Sequence, residues 1–290
     1  MDMLTKLNRA IAYIEAHIDD DLALDAVSGV TGYSPYHFGR LFYYIADMPL
    51  SEYIRKRKLS LAAMKLQSSG VKVIDLAVMY GYDSADSFSR AFVKQHGMTP
   101  SAARRPGSVL KIFPPMTFQI KIEGVQGMNW RIEEKDAFEV VGVARRFKTD
   151  QTDDISGFWD EKFQDGSLDA LKKQMQRSDL MGVCGHIDEV ADDFLYMIGL
   201  FADKNADASG FSVINAPAAT WAVFRSDDCD ENPYGAEIAK LYDSAYKQWL
   251  PTSGYDKAEG KDGEIYDMEI YGTTEGGQFF EEVWLSVRKA

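Results

Sequence analysis

Two arginines occupy the same place in two stretches written almost alike. Arg40 lies in GYSPYHFGRLF (residues 32–42) and Arg90 in GYDSADSFSRAF (residues 81–92). Phe38, Arg40 and Phe42 recur as Phe88, Arg90 and Phe92, and Met48 and Ser51 as Met98 and Ser101, at a constant offset of 50 residues. A guanidinium offered to a major groove bonds both acceptors of a guanine edge, worth about 1–3 kcal/mol of discrimination. A second chemistry is written in the last part of the chain. Glu269 in YDMEIY and Glu282 in FFEEVWL are carboxylates set in an aromatic-rich region that also holds Trp159, Tyr196, Trp221 and Trp284. Carboxylates among rings receive a lipophilic cation, because the rings present negative faces and the carboxylate supplies charge.

Other chemistries find less support. Cys184 and His186 are two residues apart, on one face if the segment is a strand, but no third orienting group is evident. His186 is the only histidine after residue 130, so a metal centre is not expected, and no nucleophile elbow or Gly-rich phosphate loop is present. The two cysteines, Cys184 and Cys229, form no C-x-x-C pair, as in a reduced intracellular protein. The reading is binding, with no catalytic residue, metal or cofactor.

The elements that must position these groups change character along the chain. Apolar residues recur at helical spacing in 3–18, 22–30, 36–46, 51–67, 73–80 and 85–96. Ser34-Pro35 and Ser84 supply helix starts, and Gly32 and Gly81 supply the tight turns before them. On the helix over 36–46, Phe38, Leu41, Phe42 and Ile45 share one arc while Tyr36 and Arg40 face away; Ser87 and Arg90 belong to the second copy's helix. This is helix-turn-helix grammar written twice, and two such helices in one chain reach successive groove faces about 34 Å apart. Arg55 to Lys58, Lys94, Arg104 and Arg105 suit the phosphate backbone. A helical bundle with solvated arginines is the bland alternative, which the repeat disfavours.

After a boundary at residues 104–107, strand-forming text begins, with strands expected in 113–124, 137–147, 180–189, 194–203, 218–227, 264–272 and 280–289, and helices in 155–176 and 234–250. The pattern is β-α-β-β twice, an α+β domain. The expected organisation is residues 1–107 all-α, 108–128 a linker with a strand, and 129–290 the α+β domain. Charge divides similarly. Residues 1–110 carry 13 Lys/Arg against 11 Asp/Glu, and the remainder 19 against 34, within a net charge of −13. The two halves are therefore expected to meet different partners. No run of about 18 apolar residues is present, so the expectation is a cytoplasmic protein without a membrane partner.

Residues 22–105 resemble the double helix-turn-helix domain of AraC-type transcriptional regulators, most closely in YGYDSADSFSRAFVKQHGMTPSAAR (80–104). The resemblance implies that Tyr36, Arg40, Ser87 and Arg90 face double-stranded promoter DNA in a bacterial regulator; filling the acidic half's cleft is then expected to change either how that half rests on the DNA-binding half or how it meets RNA polymerase. Gly39 and Ala85 stand where some relatives have glutamine, and Asp86 puts a carboxylate on the second face, which implies an operator unlike those relatives'. Residues 129–289 resemble the gyrase-inhibitor-like (GyrI-like) effector-binding domain through AFEVVGVARRF and EEVWLSV. That resemblance implies a small, lipophilic or cationic effector in a central cleft, with Glu269 and Glu282 as acceptors and Trp284, Trp221 and Trp159 as walls. Two alternatives stay open: a GyrI-like hydrolase using a cleft glutamate, and an architectural DNA binder whose second domain serves protein contacts.

Overall fold

The computed structural model describes the chain except residues 1–2, 21, 120–126, 149–153, 189–192, 204–205, 234, 259–264 and 290, and except the side chains of Tyr36, Ile187, Asp188 and Tyr266. The chain divides into two compact units, Met3–Ile120 and Lys121–Ala290.

The first unit is helical: α1 (Met3–Ala16), α2 (Leu24–Thr31), α3 (Pro35–Ala46), α4 (Leu50–Ser68), α5 (Val73–Met79), α6 (Ala85–His96) and α7 (Pro100–Ala103). The repeat has a packing cause. Phe38, Phe42, Phe88 and Phe92 are all essentially inaccessible, each pair one helical turn apart, so each copy drives two rings into its own core. Gly32 ends α2 at φ 76° and Gly81 follows α5 at φ 77°, a conformation glycine takes without steric cost. Ser34 accepts the His37 N–H to start α3, and Ser84 accepts the Ser87 N–H to start α6.

Between the copies, α4 carries a buried ion pair. Arg57, only 5% exposed, donates to both Glu15 oxygens (2.8 and 2.6 Å) and to the Phe113 carbonyl. The Tyr53 hydroxyl also donates to Glu15 (2.8 Å) and accepts the Met116 N–H (3.2 Å). The knot ties α1, α4 and residues 113–118 together. The strand expected from residue 113 onward does not form through residue 119, because the backbone of this segment bonds Ser60, Tyr53 and Asn8 side chains instead of a ladder. The remainder of that expected strand lies outside the described residues.

The second unit is one antiparallel sheet with helices on one face. Its strands are β1 (Trp130–Lys135), β2 (Phe138–Lys148), β3 (Leu180–Asp188), β4 (Asp193–Ala202), β5 (Ser212–Ala216), β6 (Ala219–Arg225), β7 (Tyr255–Lys257), β8 (Ile265–Thr273) and β9 (Phe279–Lys289). The order is β1-β6-β9-β8-β3-β4-β2-β5, with β7 added on β9. The two β-α-β-β halves meet at β3 and β8, and each half's leading strand is exchanged: β1 pairs β6 while β5 pairs β2. Strands β1, β5 and β7 have no counterpart in the sequence expectation; at six, five and three residues they are short for a pattern reading. The expected helix over 155–176 is divided into α8 (Asp154–Gln164) and α9 (Ser167–Met175) by Gly166 at φ 78°. The expected helix over 234–250 begins later, as α10 (Ile238–Asp243), and continues as a π-helical turn, Ser244–Trp249.

Only two residues separate β1 from β2, yet the strands stand six places apart in the sheet. The sheet therefore curls, and its helix-free face closes over a core of Val140, Met181, Val183, Met197, Trp221 and Trp284. The other face is packed by helices, as when Phe158 of α8 meets Phe147 of β2 and Trp249 meets Phe224 of β6.

Candidate DNA interface and effector site

In the first unit the aromatic pairs bury one side of α3 and α6 and leave the opposite side out. On α6 the outer stripe is Asp86, Arg90, Val93 and Lys94, spaced by three, four and seven or eight residues. Arg90 is paired with Asp86 at 2.7 Å, both about three-quarters exposed, so the pair is easily exchanged for a base edge or phosphate. On α3, Arg40 is half-buried and donates to the Tyr44 hydroxyl (2.8 Å), with its guanidinium 5.4 Å from that ring. Arg40 is thus pre-oriented along the helix. The side chain of Tyr36 lies outside the described residues.

Three residues expected to contact DNA have other work. The Ser87 hydroxyl is the third-position partner of a capping box, bonding the Ser84 N–H and carbonyl (3.3 and 2.9 Å). Arg104 donates to the carbonyls of Ser69 (2.7 Å) and Val71 (2.5 Å), fastening the chain that follows α4. Arg57 is spent on Glu15 and the Phe113 carbonyl, and these three hydrogen bonds leave no fork for a phosphate. Arg55 and Lys94 do stand exposed. A charged residue's sequence position does not reveal whether a backbone carbonyl or a carboxylate waits for it, so these partners of Arg104 and Arg57 were not legible in the sequence.

In the second unit a polar cluster forms on the helical face. Antiparallel partners share a face, and Glu269 of β8 lies opposite Gly182 of β3 and Val283 of β9. Tyr196 of β4 donates its hydroxyl to Glu269 Oε2 (3.1 Å), and Tyr271, two residues along β8, donates to the same oxygen (3.0 Å). Trp159 of α8 donates its indole N–H to the Tyr196 oxygen (2.9 Å) and sets its ring 5.1 Å from Tyr271 at 70°. Gly182 makes the convergence possible: a Cβ there would lie 2.1 Å from the Tyr196 hydroxyl and 2.8 Å from Glu269 Oε2. Burial first, then the Glu269 carboxylate, pushes both phenols well above their ordinary range, so they stay protonated donors.

Glu269, Tyr196 and Trp159, all expected at the site, therefore meet. Glu282, Trp284 and Trp221 do not join them. Glu282 lies opposite Ile270, one residue out of step with Glu269, and one residue along a strand is the other face of the sheet. There Glu282 accepts from Arg131 (2.8 and 3.3 Å) and from the Trp284 indole (2.7 Å), while Trp221 is fully buried in the core. Sequence reasoning overlooked Tyr271 and Gly182. Tyr271 was legible by alternation from Glu269; Gly182 was not, since its role depends on two side chains from other strands.

Glu281, on the same face as Tyr271, is buried and accepts the backbone N–H groups of Gly235 (2.5 Å) and Glu237 (3.0 Å). Burial raises its pKa despite those donors. Among the described residues no three His, Cys, Asp or Glu side chains gather as metal ligands would, and no helix is long and apolar enough to cross a membrane.

Comparison with known proteins matches each unit separately. Residues 131–285 match the family described as integron-associated effector binding protein, and residues 27–106 match a helix-turn-helix domain family. The regulatory protein SoxS of Escherichia coli (strain K12) is 40% identical over 94 residues, 32% of this chain and 88% of SoxS. The transcriptional regulator Rob of Salmonella typhimurium is 36% identical over 118 residues, 40% of this chain, and the chain spans 41% of the length of Rob. A solved structure, of SAV2435 bound to tetraphenylphosphonium, is 18% identical and covers 56% of this chain and 94% of that one, with a TM-score of 0.42.

Proposed function

Because this chain belongs to the AraC-type transcription regulators and carries a GyrI-like, integron-associated effector-binding domain, we propose that it reads promoter DNA through α3 and α6 and adjusts that reading to a lipophilic cation held at Glu269. The observation that carries the effector assignment is the Glu269 carboxylate, set by Gly182 beneath two phenol donors and beside Trp159. A diffuse cation needs a carboxylate and ring faces and has no hydrogen to donate; the two phenol hydroxyls orient the carboxylate for it. Entry of the cation opens the Trp159–Tyr271 contact, which gives the ligand unequal affinity for two states of the unit.

On the DNA side, Arg40 and Arg90 read guanine edges, and Lys94 and Arg55 meet phosphates. The protein acts in the cytoplasm of a bacterium, meets RNA polymerase at the promoter, and senses its ligand without turning it over. Isothermal titration of the full chain with tetraphenylphosphonium tests the effector assignment. Glu269→Gln is expected to weaken binding roughly tenfold to a hundredfold, the loss of one charge-assisted contact. Unchanged affinity would remove Glu269 from the site.

A further inference from the structure

We propose that the helix-free face of the sheet holds a second cation site, an aromatic cage that the chain's own Lys135 occupies and that a quaternary ammonium ion can take over. The Lys135 Nζ stands 4.8 Å from the ring centre of Phe201, 5.4 Å from Phe138 and 5.8 Å from Trp284. These rings come from β4, β2 and β9, and they surround one point only because the curled sheet brings the β1 edge round to β2. Lys135 is half-buried, and three ring faces lie within about 6 Å of its ammonium. Four residues back on β1, and on the same face, Arg131 lies 5.4 Å from the ring centre of Trp284 and forks onto Glu282.

The arrangement is suited to exchange for three reasons. First, β1 is the edge of the sheet and pairs only with β6, so its side chains are displaced at less cost than those of a central strand. Second, a lysine ammonium is a strongly hydrated point charge on a flexible stem, and it re-enters water readily. A quaternary ammonium is weakly hydrated and gains more from three ring faces. Third, Lys135 itself lines a shallow depression with Glu134, Asp136, Ala218, Ala219 and Thr220, so the departing ammonium has an open surface beside it. The occupant class is a small quaternary ammonium. The site lies on the opposite face from Glu269, so it stands independently of the effector assignment above.

The test is titration calorimetry of the full chain with tetramethylammonium chloride at constant ionic strength. Lys135→Ala removes the internal competitor and is expected to tighten tetramethylammonium binding about tenfold. Lys135→Met keeps an uncharged chain of similar length in the cage and is expected to bind no more tightly than the unaltered protein. Phe201→Leu removes one wall and is expected to weaken binding. The effects of Lys135→Ala and Phe201→Leu are expected to persist in the Glu269→Gln background, where the effector carboxylate is already neutralised. Equal affinity in Lys135→Ala and the unaltered chain, no loss in Phe201→Leu, or disappearance of both effects in the Glu269→Gln background would each overturn the proposal.

Discussion

Adding one methyl group at Gly182 separates a packing account of the effector site from a merely compositional one. The backbone of Gly182 is in ordinary strand geometry, so Gly182→Ala would otherwise stabilise the chain by about 0.4–1 kcal/mol, through lower entropy of the unfolded state. The space above it reverses the sign. The new Cβ falls 2.1 Å from the Tyr196 hydroxyl oxygen, 2.8 Å from Glu269 Oε2 and 2.9 Å from Tyr196 Cζ. Ordinary contact needs about 3.5 Å, so the phenol must move by more than an ångström. Tyr196 is 1% exposed and packs edge-on to Phe147, which leaves it little room.

The phenol therefore gives up its bonds to Trp159 and Glu269 (2.9 and 3.1 Å) or pushes its neighbours aside. Losing a neutral and a charge-assisted hydrogen bond costs about 2–4 kcal/mol, and overpacking alone costs about 1–3. A net loss of about 2–4 kcal/mol in the second unit is expected, measured by urea unfolding followed by tryptophan fluorescence. Affinity for tetraphenylphosphonium is expected to fall at least tenfold. Tyr196→Phe in the same chain removes the closest atom, so the double variant is expected to recover part of the stability lost in Gly182→Ala. A Gly182→Ala protein as stable as the parent, with unchanged cation affinity, refutes the proposed convergence over β3.

Arg40→Ala and Arg90→Ala are each expected to weaken specific operator binding about tenfold to a hundredfold and to relax preference at one base pair, measured by selection from random DNA. Lys94→Ala should weaken all sequences alike and lower the salt slope by about one; a base-specific loss there would move the reading face. Glu15 is partly buried, but donation from Arg57 and Tyr53 outweighs that burial and holds its carboxyl below the ordinary value of 4.5. Its stabilisation is present in full above 4.5 and is lost as pH falls through the lowered folded-state value. Thermal melts of the first unit's helical signal should show this acid loss, and Glu15→Gln should abolish it while costing about 3–5 kcal/mol at neutral pH by stranding Arg57.

Much of the molecule was legible before any coordinates. The offset of 50 residues, the buried phenylalanine pairs and the serine caps are local features, fixed by helical period and hydroxyl chemistry within about ten residues. The two β-α-β-β halves were legible for the same reason. The short strands β1, β5 and β7 were not, because three to six residues carry too little alternation and owe their state to the partners they pair with.

What the sequence settled by itself is which residues are available: a doubled arginine-bearing helix, and carboxylates among aromatic rings on strands. What the tertiary structure alone decided is which of them meet. Register placed Glu269 opposite Val283 and so sent Glu282 to the far face. A glycine on a neighbouring strand let a phenol reach the carboxylate, and carbonyls far along the chain claimed Arg57 and Arg104. Side-chain meetings across strands depend on registers and close approaches between segments distant in sequence, and no local pattern encodes those distances.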